Sequence, residues 1–353
     1  MTTAIEHSAA EEFAGRVVGD VAATMTSVLC ALGDKVGLFA ALAKGGPATS
    51  AELAERAGAD ERYVREWAHG LATAGYLQLA GGRFVLPPAQ AEVLANEGGP
   101  MFLGGGYQEI AGMFQVIGRV AEAFRAGGGV PQAAYPDDAY DGMSRFTRAW
   151  FDHRLVADWL PLVPGLSERL ERGASWADVG CGAGRAVIRL AQEFPASTFV
   201  GFDAFPAQVE RARRMAQESG VAERVSFEVA DAARGLPGSF DVISTFDVVH
   251  DAVDPAGLVA GIRRSLTDDG SYLLLDINCA NDPAENEGPI ATLMYGFSVL
   301  YCMTTSLAHG GAGLGTCGCP PAVVQDLGTS AGFGSIRELP IEDPFNRLYE
   351  LKP

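Results

Sequence analysis

Two short stretches hold the residue types from which chemistry can be built. The first is Asp178-Val-Gly180-Cys-Gly182-Ala-Gly184, where an apolar run gives way to a helical pattern. A chain that turns sharply after a strand and passes close beneath a ligand needs glycine there, because a side chain would collide with whatever lies on the turn. The helix that follows offers unpaired N–H groups. Taken alone, Gly-x-Gly-x-Gly is a weak signal, shared by nicotinamide sites, flavin sites and plain tight turns. Its surroundings sharpen it. Asp203 closes the next apolar run, nineteen residues after Gly184 and just before Ala204. A carboxylate at that point can accept both hydroxyls of a ribose. Asp231-Ala232 follow the third run, in position to hold an adenine amine. The second stretch is Val248-Val-His250-Asp251-Ala-Val-Asp254, directly after the fourth run, Phe240–Phe246. An imidazole is the side chain best suited to exchanging a proton near neutrality.

These stretches need a scaffold that brings strand ends together. From Trp176 onward the pattern alternates strand and helix. Strands are expected at Ser175–Val179, Thr198–Phe202, Val225–Ala230, Phe240–Phe246 and Ser271–Ile277, with helices such as Gly184–Phe194 and Pro206–Ser219 between them. Alternation of this kind implies a parallel sheet covered on both faces. Ile336–Ile341 and Arg347–Leu351 read as a final strand pair. The first third of the chain is different. Phe13, Val17, Val21, Met25, Val28 and Leu32 recur at spacings of three and four, an apolar stripe able to pack within the chain or against a second subunit. Thr49-Ser-Ala-Glu52 forms a capping box for a helix through Ala57. Asp60 caps a second helix with Tyr63, Val64, Trp67 and Leu71 on its apolar face, ended by Gly75. Tyr76–Leu79 and Phe84–Leu86 then form a hairpin around Gly81-Gly82. Helix, turn, helix, hairpin is the order of a winged helix. The expected division is a winged-helix-like dimerisation domain over 1–95, a helical linker over 96–160, and an α/β domain over 161–353.

Composition excludes several classes. The 353-residue chain carries a formal net charge of −18, which opposes broad binding to nucleic-acid phosphates or anionic lipid. Over residues 1–100, seven Lys or Arg face twelve Asp or Glu, and Arg62 and Arg65 of the second helix sit beside Glu61 and Glu66. A DNA-reading helix should be basic, so packing and dimerisation are the favoured roles for this domain. No secretory leader is evident. No run reaches the ~18–20 uninterrupted apolar residues of a membrane span. The six cysteines are expected as thiols and the protein as cytoplasmic.

Residues 175–277 resemble the class I S-adenosylmethionine (SAM)-dependent methyltransferases, motif by motif. The resemblance implies a Rossmann-like, mostly parallel seven-stranded sheet behind a mainly helical N-terminal domain. SAM is the implied cofactor and S-adenosylhomocysteine (SAH) the product. It implies that Asp178, Gly180, Gly182 and Gly184 hold the methionine end of SAM, that Asp203 and Ala204 hold the ribose, and that Asp231, Ala232 and Phe246 border the rest. The stretch after the fourth strand is similar to small-molecule O-methyltransferases of plants and bacteria. In those, a His-Asp pair at this point supplies the general base. His250 matches the base and Asp251 its neighbour, although Ala252 stands where the usual aromatic would follow. The whole chain also resembles a group of actinobacterial two-domain methyltransferases.

Downstream, Tyr295, Tyr301, Thr304 and His309 are candidate contacts to a small-molecule acceptor. Cys317-Gly-Cys319 with His309 lacks the spacing of a zinc knuckle, so no metal site is assigned, while the acids Asp247, Asp251, Asp276 and Glu285 stay open as holders of a divalent ion should the acceptor be a diphosphate or catechol. The reading is methyl transfer to a small molecule by a homodimer, O-methylation first and N- or C-methylation behind it, with no nucleic-acid or membrane partner. The rivals are a SAM-responsive winged-helix transcription regulator and an RNA methyltransferase. The charge opposes both.

Overall fold

A computed structural model describes residues 2–353, with side chains from Ser8 onward. The chain divides into two units, Met1–Gly112 with Asp137–Ala149, and Met113–Pro136 with Trp150–Pro353. The segment 96–160, read above as a linker, is therefore shared between them.

The first unit opens with α1 (Thr2–Val36), a single 35-residue helix. Phe13, Val17, Val21, Met25, Val28 and Leu32 are all exposed along it. After α2 (Leu38–Gly45) comes α3 (Ser50–Ala57). The capping box is present. The Thr49 hydroxyl accepts from Glu52 N at 3.2 Å, and Glu52 accepts from Thr49 N at 2.9 Å. Asp60 caps α4 (Glu61–Thr73) by accepting from Arg62 N at 2.9 Å. Val64, Trp67 and Leu71 are buried, and Trp67 Nε1 donates to Leu29 O at 2.8 Å. Tyr63 departs from expectation. It is 81% exposed, although its spacing of four from Trp67 sets it on the same side of the helix. Strands β1 (Gln78–Ala80) and β2 (Arg83–Val85) pair antiparallel about Gly81 and Gly82, whose φ of 58° and 76° suit a tight primed turn.

The second unit is built on β3 (Ser175–Val179), β4 (Thr198–Asp203), β5 (Val225–Val229), β6 (Phe240–Phe246), β7 (Leu266–Ile277), β8 (Ser335–Leu339) and β9 (Asn346–Lys352). They lie in the order β5-β4-β3-β6-β7-β9-β8. The first five run parallel, and β9 pairs antiparallel with both β7 and β8. Buried clusters lie on both faces, as a covered parallel sheet requires. One packs around Trp176, Leu190 and Val242, the other around Phe202, Ile243 and Tyr272. Strand β7 starts earlier than Ser271. Leu266 pairs with Phe240, and a register shift before Val242 lets the strand run through Asp268 and Asp269. The order reverses at β3, and in open α/β sheets ligands bind at the carboxyl ends of strands beside such a reversal.

Two helical stretches, Ser8–Val36 and Gly288–Ala308, are long and apolar enough to cross a membrane by length and composition alone. Within the first, Glu11, Glu12, Arg16 and Asp20 interrupt the apolar pattern. The second contributes Tyr301, Cys302, Thr304 and Thr305 to the buried interior of its unit.

Candidate functional site

In the second unit the glycine turn, Asp203, Asp231, His250 and Asp276 all sit at or just past the carboxyl end of a strand. Gly180, Gly182 and Gly184 follow β3, with φ of 70°, 51° and 78°, all in the left-handed region. The helix Arg185–Glu193 begins at Gly184. A Cβ on Gly184 would stand 2.5 Å from the Phe227 ring, and one on Gly180 would stand 2.6 Å from Val248. Over Gly182 no atom of the described residues lies within 4 Å of that point, so the middle of the turn has open space above it.

Asp203 ties the turn to β4. Its carboxylate accepts from Gly182 N at 2.9 Å and from Phe205 N at 2.8 Å. Burial pushes its pKa up, against the pull of these two N–H groups. One lone pair on each oxygen remains for a diol. Ala204 follows it, exposed. Asp178 is buried, accepts from the Ser244 hydroxyl at 2.7 Å, and is pushed up to about 7 by burial, with the Asp203 charge adding. Asp231 caps a short turn through Ala233 N at 3.1 Å and pairs with Arg234 at 3.1 Å, while Ala232 is buried beside it. Phe246 stacks edge-on against Phe151 with ring centroids 5.4 Å apart and tilts against Trp159 at 6.2 Å. Its ring therefore packs onto the segment Trp150–Trp159.

The turn Val249–Asp251 follows β6 through Asp247, which adopts φ 57°. A non-glycine residue in that region costs about 1–2 kcal/mol, and such strain gathers at functional sites. His250 is 3% exposed, and its Nδ1 lies 2.6 Å from Asp276 Oδ1. Asp276 is the penultimate residue of β7, the strand hydrogen-bonded to β6. Its Oδ1 also accepts from Ile277 N at 2.8 Å, whereas its buried Oδ2 meets no donor among the described residues. Burial alone would push the His250 imidazolium down. The Asp276 carboxylate, with Cys302, outweighs it and holds the pKa well above the ordinary range. Burial pushes Asp251 up to about 6, against the pull of His250. The Asp203 charge contributes to that rise, so the two parts of the site sense each other. Asp247 is pushed up to about 8 by burial and the neighbouring Asp276 charge, and accepts from Asn346 Nδ2 at 2.5 Å.

The sequence missed the role of Asp276. It is a charge inside the run Leu273-Leu-Leu-Asp-Ile277, which was the available signal. It also missed the role of Cys302, whose sulfur lies within 4.8 Å of the His250 ring nitrogen and has no spacing signal pointing to it. The four acceptor-contact candidates fall into two environments. Tyr301 is buried edge-on against Tyr135 at 5.1 Å, and the Thr304 hydroxyl accepts from Val130 N at 3.0 Å. Tyr295 is 42% exposed, and His309 is exposed at a helix end. The glycine-rich run after His309 is a pinned turn. Ala312 N donates to Val253 O at 2.9 Å, and the Ser306 hydroxyl donates to Ala252 O at 3.0 Å, fixing the helix that carries Cys302 beside His250.

Comparison with known proteins agrees with this layout. Residues 170–303 match a family described as a methyltransferase domain, and residues 23–96 match one described as an Rv2258c-like winged HTH domain. The polyketide synthase ThaQ of Burkholderia thailandensis is 37% identical over 111 residues, which is 31% of this chain and 5% of that protein. The ubiquinone biosynthesis O-methyltransferase of Pseudomonas paraeruginosa is 28% identical over 140 residues, 39% of this chain and 57% of that one. The chain thus matches just over half of the second relative's length and a small part of the first. Human N-acetylserotonin methyltransferase, solved in complex with SAM, superposes with a TM-score of 0.71 at 19% identity, covering 96% of this chain and 97% of that one. The chain carries a methyltransferase domain behind an N-terminal winged helix-turn-helix domain, in the fold of the two-domain methyltransferases.

Proposed function

We propose that the protein is a SAM-dependent methyltransferase that transfers a methyl group to a hydroxyl of a small-molecule acceptor, with His250 as general base. The observation that carries the base assignment is the buried 2.6 Å contact between His250 Nδ1 and Asp276. It fixes the ring and leaves Nε2 as the nitrogen that can accept a proton. The residues around β3 and β4 fit the cofactor. The space over Gly182 admits a ligand on the turn, the spare lone pairs of Asp203 suit a ribose diol, and the acids Asp178 and Asp203 suit a ligand bearing an ammonium and a sulfonium. Bound SAM supplies an electrophilic methyl on a cationic sulfur, whose thioether leaves without needing a proton. The chain's own residues therefore have two tasks. They align the acceptor, and His250 takes one proton from it. His250→Ala separates these tasks, since it should stop turnover without loosening the cofactor.

The raised His250 pKa has a consequence for pH dependence. In the cofactor-free enzyme, the base form is present only above that raised value, so kcat/KM for SAM should rise with pH past neutrality. A sulfonium beside the ring disfavours the imidazolium. The acid limb measured at saturating SAM should therefore lie lower than the limb of kcat/KM for SAM. Coincident limbs, or a profile flat from pH 6 to 9, would remove His250 from the proton transfer.

The exposed apolar stripe of α1 supports a homodimer. Six large apolar side chains in one row exceed what a monomer's helix usually leaves in water. A Val21→Glu, Met25→Glu double variant should sediment as a monomer where the parent sediments as a dimer. A parent that is monomeric at micromolar concentration would end that reading. DNA is the poorer partner. Arg62 and Arg65 on α4 are engaged by Glu66 and Glu61 at 2.5 Å and 2.6 Å. We place the enzyme in the cytoplasm, where its free thiols stay reduced.

A further inference from the structure

We propose that His250, Cys302 and Asp251 form a binding site for a divalent cation of the Zn²⁺ class, and that an ion held there takes the lone pair His250 needs as a base. The second clause rests on the base assignment above; the first does not. The nitrogen, sulfur and carboxylate atoms these residues offer all lie within 4.8 Å of one another, close enough to converge on one ion with small side-chain adjustments.

Three features favour an ion over a chance grouping. The first is the donor set. Imidazole, thiolate and carboxylate together suit Zn²⁺ or Co²⁺, whereas Mg²⁺ and Ca²⁺ ask for oxygen alone. The second is the partner behind the histidine. Metal-bound imidazoles almost always give their other N–H to a carboxylate, which fixes tautomer and direction. Asp276 stands at 2.6 Å from Nδ1 to do so, which leaves Nε2 for the ion, with the Cys302 sulfur close by. The third is rigidity. His250 and Asp251 sit on one short turn, and Cys302 ends the π-helical turn Ser298–Cys302. Hydrogen bonds from Ser306 to Ala252 and from Ala312 to Val253 clamp the two segments together. Asp251 is half-buried, so the site has an open side, and three protein ligands leave a fourth tetrahedral position free. On binding, the cation replaces the Cys302 thiol proton, which leaves to solvent, and no redox change occurs.

Co²⁺ titration of chelator-treated, full-length protein tests the site without any methyl transfer. The expected result is visible absorption of a tetrahedral cobalt centre with a thiolate-to-cobalt band, saturating at one ion per chain and erased by Zn²⁺. Cys302→Ser should lose the thiolate band. His250→Gln and Asp251→Asn should each weaken the ion at least tenfold, with folding checked by circular dichroism. No thiolate band in the parent protein overturns the proposal. An identical band in Cys302→Ser and His250→Gln also overturns it, by placing the ion at Cys279, Cys317 or Cys319. A second measurement addresses the competition: Zn²⁺ should inhibit the parent at concentrations at least tenfold below those that inhibit Cys302→Ser. Tight Co²⁺ binding with no loss of turnover would refute the competition while leaving the site in place.

Discussion

His250→Ala is expected to lower kcat by about 10²–10⁴, the range that a positioned general base contributes, while SAH affinity stays within about twofold of the parent. The size follows from the chemistry. The thioether leaves unaided, so the proton on the acceptor is the one charge the enzyme must move. A hydroxyl attacks poorly while it keeps that proton. His250 is enclosed and takes its orientation from Asp276, so its loss removes the positioned proton acceptor. Asp276→Asn should give a related but separable result. The isosteric amide can present either an acceptor or a donor to Nδ1, so the ring loses its fixed tautomer, and it loses the charge that raises its pKa. The acid limb should move to lower pH as kcat falls. A purely structural role for Asp276 would lower kcat without moving the limb. Kinetics of both variants at saturating SAM, with SAH affinity measured in parallel, check the pair. Unchanged turnover in His250→Ala would sink the base assignment.

The second large effect is expected at Asp203. Its carboxylate accepts from Gly182 N and Phe205 N, and so shapes the turn on which the cofactor lies. It also holds the lone pairs assigned to the ribose hydroxyls. Hydrogen bonds to a charged group contribute about 1.5–3 kcal/mol each. Loss of the two ribose bonds should therefore weaken the cofactor by about 10²–10⁴, at 1.4 kcal/mol per tenfold. Asp203→Ala also leaves two backbone donors without an acceptor, which adds a loss of stability. Asp203→Asn keeps the shape, and its carbonyl retains one of the two backbone bonds. If the two variants bind SAH equally poorly while only the alanine melts early, the ribose role separates from the scaffold role. Binding within threefold of the parent in both would refute the ribose contact.

How much of this could be read from the chain depended on the range of each interaction. Strands β3 and β6 have the boundaries the sequence implied, because each is an apolar run closed by residues with local reasons to end it, Gly180 after the first and the strained Asp247 after the second. The capping box at Thr49 was legible for the same reason, since its partners lie three residues apart. Tyr63 was not, because helical spacing from Trp67 and Leu71 admits it to the apolar face while burial is decided by what packs there. The glycine turn and Asp203 were visible as a pattern because each closes a strand. Asp276 was visible only as an odd charge in β7, since its tie to His250 depends on β6 and β7 being neighbours in register. Cys302 had no signal. It reaches His250 because a π-helical turn far along the chain packs back onto the turn after β6.

The most direct measurement is calorimetric titration of ligand-free protein with SAH. The site described here predicts one molecule bound per chain at micromolar or tighter affinity, with the heat of binding lost in Asp203→Ala. No detectable binding to folded, ligand-free parent protein would contradict the cofactor assignment, and methyl transfer with it.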